Sequence, residues 1–451
     1  MRKIITIFGS TGNLMYKKLI PALSALIEHD YLQNNTKIYC VARKDCDLED
    51  YIQEAKREVT AKVNWDKLIP FLTYIKLDVY NLEDYFKLNE TINSNGINID
   101  KIFYLAVPPS LFPVIAKGIS NSKLIEKNDE FSRIVFEKPF GEDLPTAKAI
   151  NKELWKYFDE SQIYRIDHYL GKEMIQNILI VRFANIIFEK TWNRETIESI
   201  VIIVKENEGV LRRGGYYDSI GALKDMIQSH LMQMVALTTM EKPKTFNSHD
   251  VKNEKVKVIK KLRIEKTDVL LGQYKGYLDE VNIKRGSLTE TFVYAKAFID
   301  NSRWNGVPIH LITGKKLDEK RSEIIINFKS ESTGSFSDKN NKLIIKVAPE
   351  EGVNFIFNVK EAGLNNKVVS SVLDYCHACK TSGNTPEAYE KLLLDIINKQ
   401  DSLFTRWDEI ETSWKIIDDI KNYHHEVFVY DDFNQVKLRI KDLIQEVVDD
   451  L

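Results

Sequence analysis

The run Arg165-Ile166-Asp167-His168-Tyr169-Leu170-Gly171-Lys172-Glu173 concentrates more chemistry than any other part of the chain. His168, Tyr169 and Lys172 supply an imidazole, a phenol and an ammonium, a donor set suited to a dianionic phosphate. A second group lies in residues 221–240, where Asp225 and His230 interrupt a helical pattern. His230 falls on the same stripe as Leu223, Met226, Ile227, Met234 and Leu237. An imidazole facing inward is more often a core residue than a catalyst, and it becomes a general base only with a carboxylate partner. A third group is Glu137-Lys138-Pro139-Phe140-Gly141, in which Lys138 ends a strand-like run and points toward a crevice.

The fourth group is Gly9-Ser10-Thr11-Gly12, followed by Asn13 and Leu14, between an N-terminal apolar run and a helical pattern. A glycine turn there lets backbone N–H groups and a helix N-terminus approach a pyrophosphate. The pattern lacks the third glycine of the dinucleotide fingerprint. After the second strand-like run stands Arg43, then Lys44. A carboxylate at that place accepts hydrogen bonds from the adenine ribose, whereas an arginine pairs with a 2′-phosphate, so Arg43 favours NADP over NAD. Asp78 and Val79, after the third run, are placed to border the adenine.

These groups need a scaffold that brings strand ends together. Apolar runs at residues 3–8, 37–42, 71–77, 101–107, 133–137 and 162–166 alternate with helical patterns such as 14–27 and 147–158. That alternation predicts α/β structure: a doubly wound, Rossmann-like parallel sheet spanning a dinucleotide-binding domain at residues 1–167. After that point strands at 199–205, 289–299, 323–328, 342–347 and 353–359 follow one another through short connections. They predict a larger α+β domain, residues 168–451, on a big and mainly antiparallel sheet, whose exposed face would suit a dimer interface. The lysine-rich stretch 252–261 mixes both charge signs and reads as a solvated face.

Composition removes several function classes. The chain has 451 residues, with 64 Lys and Arg against 66 Asp and Glu, giving a formal charge of −2. A nucleic-acid binder would carry a strongly basic domain or stripe. No apolar run reaches the 18 or so residues of a membrane span, and the N-terminus does not read as a secretory signal. Four cysteines make no disulfide framework, and Cys376 and Cys379 lack the second ligand pair of a metal site. The expectation is a cytoplasmic enzyme with no bound metal, nucleic-acid partner or membrane attachment.

Read together, the motifs resemble those of the glucose-6-phosphate dehydrogenase family. Residues 165–173 match its most diagnostic motif. Matches continue in order through Glu137-Lys138-Pro139-Phe140-Gly141, Arg213-Gly214-Gly215-Tyr216-Tyr217-Asp218, Asp225-Met226-Ile227-Gln228-Ser229-His230-Leu231 and Arg303-Trp304-Asn305-Gly306-Val307-Pro308, then Tyr389-Glu390-Lys391-Leu392-Leu393-Leu394-Asp395. The first turn departs from the family's usual G-x-x-G-D-L-A-K at Asn13, Met15 and Tyr16.

The resemblance implies oxidation of glucose 6-phosphate at C1, with NADP as hydride acceptor, in a homodimer or homotetramer. It also implies a role for each residue. His230 resembles the base and Asp167 the carboxylate that orients it. His168, Tyr169 and Lys172 resemble phosphate ligands, and Glu206 and Asp225 partners of sugar hydroxyls. Lys138 resembles a lysine between sugar and nicotinamide, Lys315 and Lys320 further substrate contacts, and Lys18 a lysine near both ligands. Two alternatives accompany this reading: a noncatalytic sugar-phosphate sensor, and the same chemistry with NAD or another hexose 6-phosphate.

Overall fold

The computed structural model describes residues 2–94, 99–330, 340–376, 386–423 and 425–443. His377 and Cys379, singled out in the sequence, lie outside the described residues. The chain divides into two compact units. Among the described residues, the first comprises everything up to Gly171 together with 247–252 and 386–411, and the second comprises the remainder. No helix among the described residues is long and apolar enough to cross a membrane.

The first unit is built on β1 (Arg2–Phe8), β2 (Thr36–Ala42), β3 (Leu72–Lys76), β4 (Ile99–Leu105), β5 (Ser132–Phe136) and β6 (Ile163–Ile166). They lie in the order β3-β2-β1-β4-β5-β6, all parallel. Ile4, Ile5, Ile7 and Phe8 are buried, which a strand covered by helices on both faces requires. Phe8 pairs with Val41 on one side and Leu105 on the other, so β1, β2 and β4 finish level. The winding reverses between β1 and β4, and ligands of such sheets bind outside the carboxyl ends at that reversal.

Residues 386–411, which the sequence groups with the second domain, return to this sheet. The short strand Phe404–Thr405 pairs antiparallel with β6. The helix Ala388–Ile397 buries Tyr389, Leu392, Leu393, Ile396 and Ile397. The buried Arg133 guanidinium donates to the carbonyls of Ile396 (2.6 Å) and Ile397 (3.1 Å) and pairs with Asp100 (2.5 Å). The helix end is thereby tied to β4 and β5, an arrangement no local pattern encodes.

The second unit carries β7 (Ile197–Lys205), β8 (Leu262–Tyr274), β9 (Phe292–Ile299), β10 (Ile309–Gly314), β11 (Arg321–Phe328), β12 (Lys342–Ala348), β13 (Gly352–Lys360) and β14 (Val368–Cys376). The order is β14-β13-β12-β11-β7-β10-β9-β8, with strand Val427–Tyr430 beside β8. Pairing is antiparallel except between β7 and β10 and between β8 and Val427–Tyr430. The parallel exception at the centre matters for chemistry. With Lys205 opposite Gly314, the residues following β7 and β10 emerge side by side.

Two expectations are corrected here. Residues 221–240 are not one helix: Gly214–Ala222 breaks at Gly221 (φ 70°), Leu223–Leu231 is wound as a π-helix, and Met232–Thr239 is α-helical. The lysine-rich stretch is a solvated face only in part, with Lys257, Lys260 and Lys261 exposed. It forms the helix Ser248–Ile259, in which Lys252 is 7% exposed and Lys255 0%. Asp401 compensates Lys252 at 2.5 Å, which makes burial of that ammonium tolerable.

Candidate active site

In the first unit, the turn after β1 is closed by its own backbone. The N–H groups of Gly9 (3.0 Å) and Ser10 (3.1 Å) donate to the Val41 carbonyl, and Gly12 N–H donates to Gly9 O (2.9 Å). Gly9 has φ +81°, and a Cβ there would lie 2.3 Å from Ala106 O, so only glycine lets the turn approach the end of β4. A helical segment starts at Asn13, with Leu14 and Lys18 in its first turns; its stretch Met15–Leu19 is π-wound. Tyr51 donates to Ser10 O at 3.1 Å and supports the turn from beneath.

Arg43 is exposed at the carboxyl end of β2 and has no ion-pair partner among the described residues. Its neighbour Lys44 is held by Glu54, whose other oxygen accepts from Tyr16 at 3.0 Å. Of the two cations after β2, Lys44 is ion-paired and Arg43, among the described residues, is not. Asp78 and Val79 shape the turn after β3: Tyr80 N–H donates to the Asp78 carboxylate (3.0 Å) and Tyr85 donates to Val79 O (3.1 Å). Lys18 pairs with Glu387 at 2.8 Å.

The ends of β5 and β6 carry the next group. Lys138 follows β5, and its neighbour Glu137 accepts from Tyr104 (2.5 Å) and Tyr389 (3.3 Å). Burial pushes the Glu137 carboxyl up against those hydrogen bonds. Asp167, 2% exposed, follows β6, and its Oδ1 accepts from the N–H of Tyr169 at 3.0 Å. The turn His168–Gly171 sets the His168 and Tyr169 rings edge to face, 5.2 Å apart. A Cβ on Gly171 would lie 2.5 Å from Ala388 O, so the returning helix requires glycine at that point of the motif. Arg165 is structural, donating to Glu160 (2.6 Å) and Asn151 (2.6 Å) beneath the turn.

In the second unit, Lys172 precedes the helix Glu173–Phe183 as its N-cap residue. Glu206 follows β7 and Lys315 follows β10. Their backbones interlock through Glu206 N–H to Gly314 O (2.9 Å) and Leu317 N–H to Glu206 O (3.0 Å), and Lys315 donates to the Glu206 carboxylate. Both line a cavity of about 690 Å³, together with Lys320. Asp225 and His230 lie on the π-wound segment, His230 being 2% exposed. Residues five apart sit about 140° from each other on an α-helix but one turn apart under i→i+5 bonding. The winding therefore puts Asp225 and His230 on one face.

The sequence matches the glucose-6-phosphate dehydrogenase NAD-binding domain over residues 6–177 and the C-terminal domain of the same enzymes over residues 179–446. The chain belongs to the glucose-6-phosphate dehydrogenase family. It is 40% identical over 447 residues to glucose-6-phosphate 1-dehydrogenase of Bacillus subtilis strain 168, covering 93% of this chain and 91% of that one. The enzyme of Hanseniaspora uvarum is 38% identical over 446 residues, covering 93% and 89%. A solved glucose-6-phosphate dehydrogenase, in complex with its substrate glucose-6-phosphate, superposes with TM-score 0.90 at 35% identity, covering 95% of this chain and 94% of that chain.

Within this glucose-6-phosphate dehydrogenase relative, motif reading missed part of the cavity wall. Arg212, Arg213, Tyr217 and Glu280 also line it. Tyr217 is buried, lies 5.1 Å beneath the Lys315 ammonium, and has its phenol pushed well up by burial and then by the Asp225 carboxylate. Arg213 and Tyr217 belong to a quoted family motif, so the signal was present, but without the fold no role attached to it.

Proposed function

We propose that this chain oxidises D-glucose 6-phosphate at C1 to 6-phospho-D-glucono-1,5-lactone with NADP as acceptor. When bound, the nicotinamide supplies a hydride acceptor at C4, a chemistry that no side chain offers. His230 takes the proton of the C1 hydroxyl as the C1–H bond breaks, and the C1–O bond becomes the lactone carbonyl. Asp167 holds the imidazole in one tautomer and stabilises its protonated form. His168, Tyr169 and Lys172 bind the phosphate, Glu206 and Asp225 bind sugar hydroxyls, and Lys315 and Lys320 add substrate contacts. Lys138 and Lys18 serve both ligands.

The residues present fit a dinucleotide. The Gly9 approach leaves no room for a side chain, and the Ser10 hydroxyl is buried with no partner among the described residues. Gly9, Ser10, Thr11, Gly12, Asn13 and Leu14 would hold the pyrophosphate, Arg43 the 2′-phosphate, and Asp78 and Val79 the adenine. What favours NADP over NAD is the engagement of Lys44 by Glu54, which leaves Arg43 as the cation open to a 2′-phosphate.

The observation that carries the reading is the convergence of Glu206, Lys315 and Lys320 on one cavity, in a family with a solved member holding glucose-6-phosphate. Mixing the protein with glucose 6-phosphate and NADP should raise the absorbance of reduced nicotinamide, with weaker responses to NAD and other hexose 6-phosphates. No response at high protein concentration would leave a sugar-phosphate sensor in its place. A homodimer or homotetramer is supported by the edge strand β14, which exposes Val372 and Leu373, and sedimentation tests it.

A further inference from the structure

We propose that Glu290 is a positioning residue for the helix that carries His230, acting through the backbone N–H of Leu223. The inference rests on the assignment of His230 as base. The helix Gly214–Ala222 leaves helical geometry at Gly221 (φ 70°, ψ 171°), and a new segment begins at Leu223. The first N–H groups of a restarted helix have no acceptor of their own. Here one residue answers two of them: Leu223 N–H donates to Glu290 Oε1 at 3.0 Å, and Ala222 N–H donates to the Glu290 carbonyl at 3.0 Å.

Glu290 immediately precedes the β9 region and is 8% exposed. A Cβ on Gly221 would sit 2.4 Å from its Oε1, so the break and the carboxyl are fitted to each other. Asp225 and His230 both lie downstream on the segment that starts there. Any change in where that segment starts turns and shifts both side chains. Misplacement of a reacting group by about 1 Å can cost up to roughly 100-fold in rate.

The test compares Glu290→Ala with Glu290→Gln, which is isosteric and keeps the accepting oxygen. Glu290→Ala should lower kcat roughly 10- to 100-fold, with a larger primary deuterium isotope effect for substrate labelled at C1, because the chemical step then limits turnover. Glu290→Gln should keep a rate and isotope effect close to wild type. Simple partial unfolding lowers the rate with the folded fraction and leaves the isotope effect alone. The proposal is overturned by an Ala variant of normal rate, by a slow Ala variant with an unchanged isotope effect, or by a Gln variant as impaired as Ala. Failure of the base assignment is read separately, from His230→Asn retaining turnover.

Discussion

Lys315 donates to the carboxylate of Glu206 across the adjoining carboxyl ends of β7 and β10, a central parallel pair in an otherwise antiparallel neighbourhood. The pairing holds both groups at the cavity wall before any ligand arrives. A sugar hydroxyl entering between them can donate to the carboxylate and accept from the ammonium. Lys315→Met should therefore raise KM for glucose 6-phosphate by about tenfold or more, the scale of one hydrogen bond to a charged group, with a smaller effect on kcat. Steady-state kinetics at saturating NADP measures both.

His230→Asn should lower kcat by roughly two to four orders of magnitude with little change in KM for the sugar phosphate. Asp167→Asn should be slower too, and the double variant should be far less impaired than the product of the two single losses, because the two groups act as a unit. A double variant showing the full product would separate Asp167 from the base.

Arg43→Ala should raise KM for NADP by roughly 10- to 100-fold, as expected for losing charge-assisted hydrogen bonds to a 2′-phosphate. KM for NAD should stay where it is. Paired titrations with the two cofactors check this, and equal effects on both would remove Arg43 from 2′-phosphate recognition.

Gly9→Ala forces a Cβ to 2.3 Å from Ala106 O at φ +81°. The strain should cost about 1–3 kcal/mol of stability, and relief by movement of the turn should weaken cofactor binding. Thermal melting with and without NADP reads the two effects, the variant showing a lower melting point and a smaller shift on cofactor addition.

His310 is buried in β10, accepts or shares a proton with the Tyr294 hydroxyl at 2.9 Å, and has its imidazole pushed down to about 3, first by burial and then by Lys296. The unfolded chain protonates this imidazole near its ordinary value of about 6.5 while the native state does not. Between those limits the unfolded state binds the extra proton, so stability falls as pH falls, by about 1.4 kcal/mol per pH unit from this one group. Relative to His310→Gln, the wild type should lose urea resistance steadily from pH 6 to pH 4.

The parallel sheet was legible because its central strands are buried on both faces and read as nearly continuous apolar runs: Ile4 to Phe8, broken only by Thr6, in β1, and Ile102 to Leu105 in β4. Other strands were not. β8 passes through Arg263, Glu265, Lys266 and Asp268, whose charges hide it, and β10 places His310 in the core of a short run. Nor could the sequence show the winding of Leu223–Leu231, because an apolar stripe fits several helical periods over so short a stretch. The residues of the motifs stood out by type. What joins Glu206 to Lys315 is the parallel register of β7 and β10, a long-range pairing that appears only in the folded chain.

The return of residues 386–411 to the first sheet also has a bearing on how the protein is made. During synthesis β6 has no partner on its outer side, and Arg133 lacks its two carbonyl acceptors, until residues 386–411 have left the ribosome. The nucleotide-binding unit is therefore complete only after most of the second sheet has been translated, so its closure waits on a segment far downstream of its own strands.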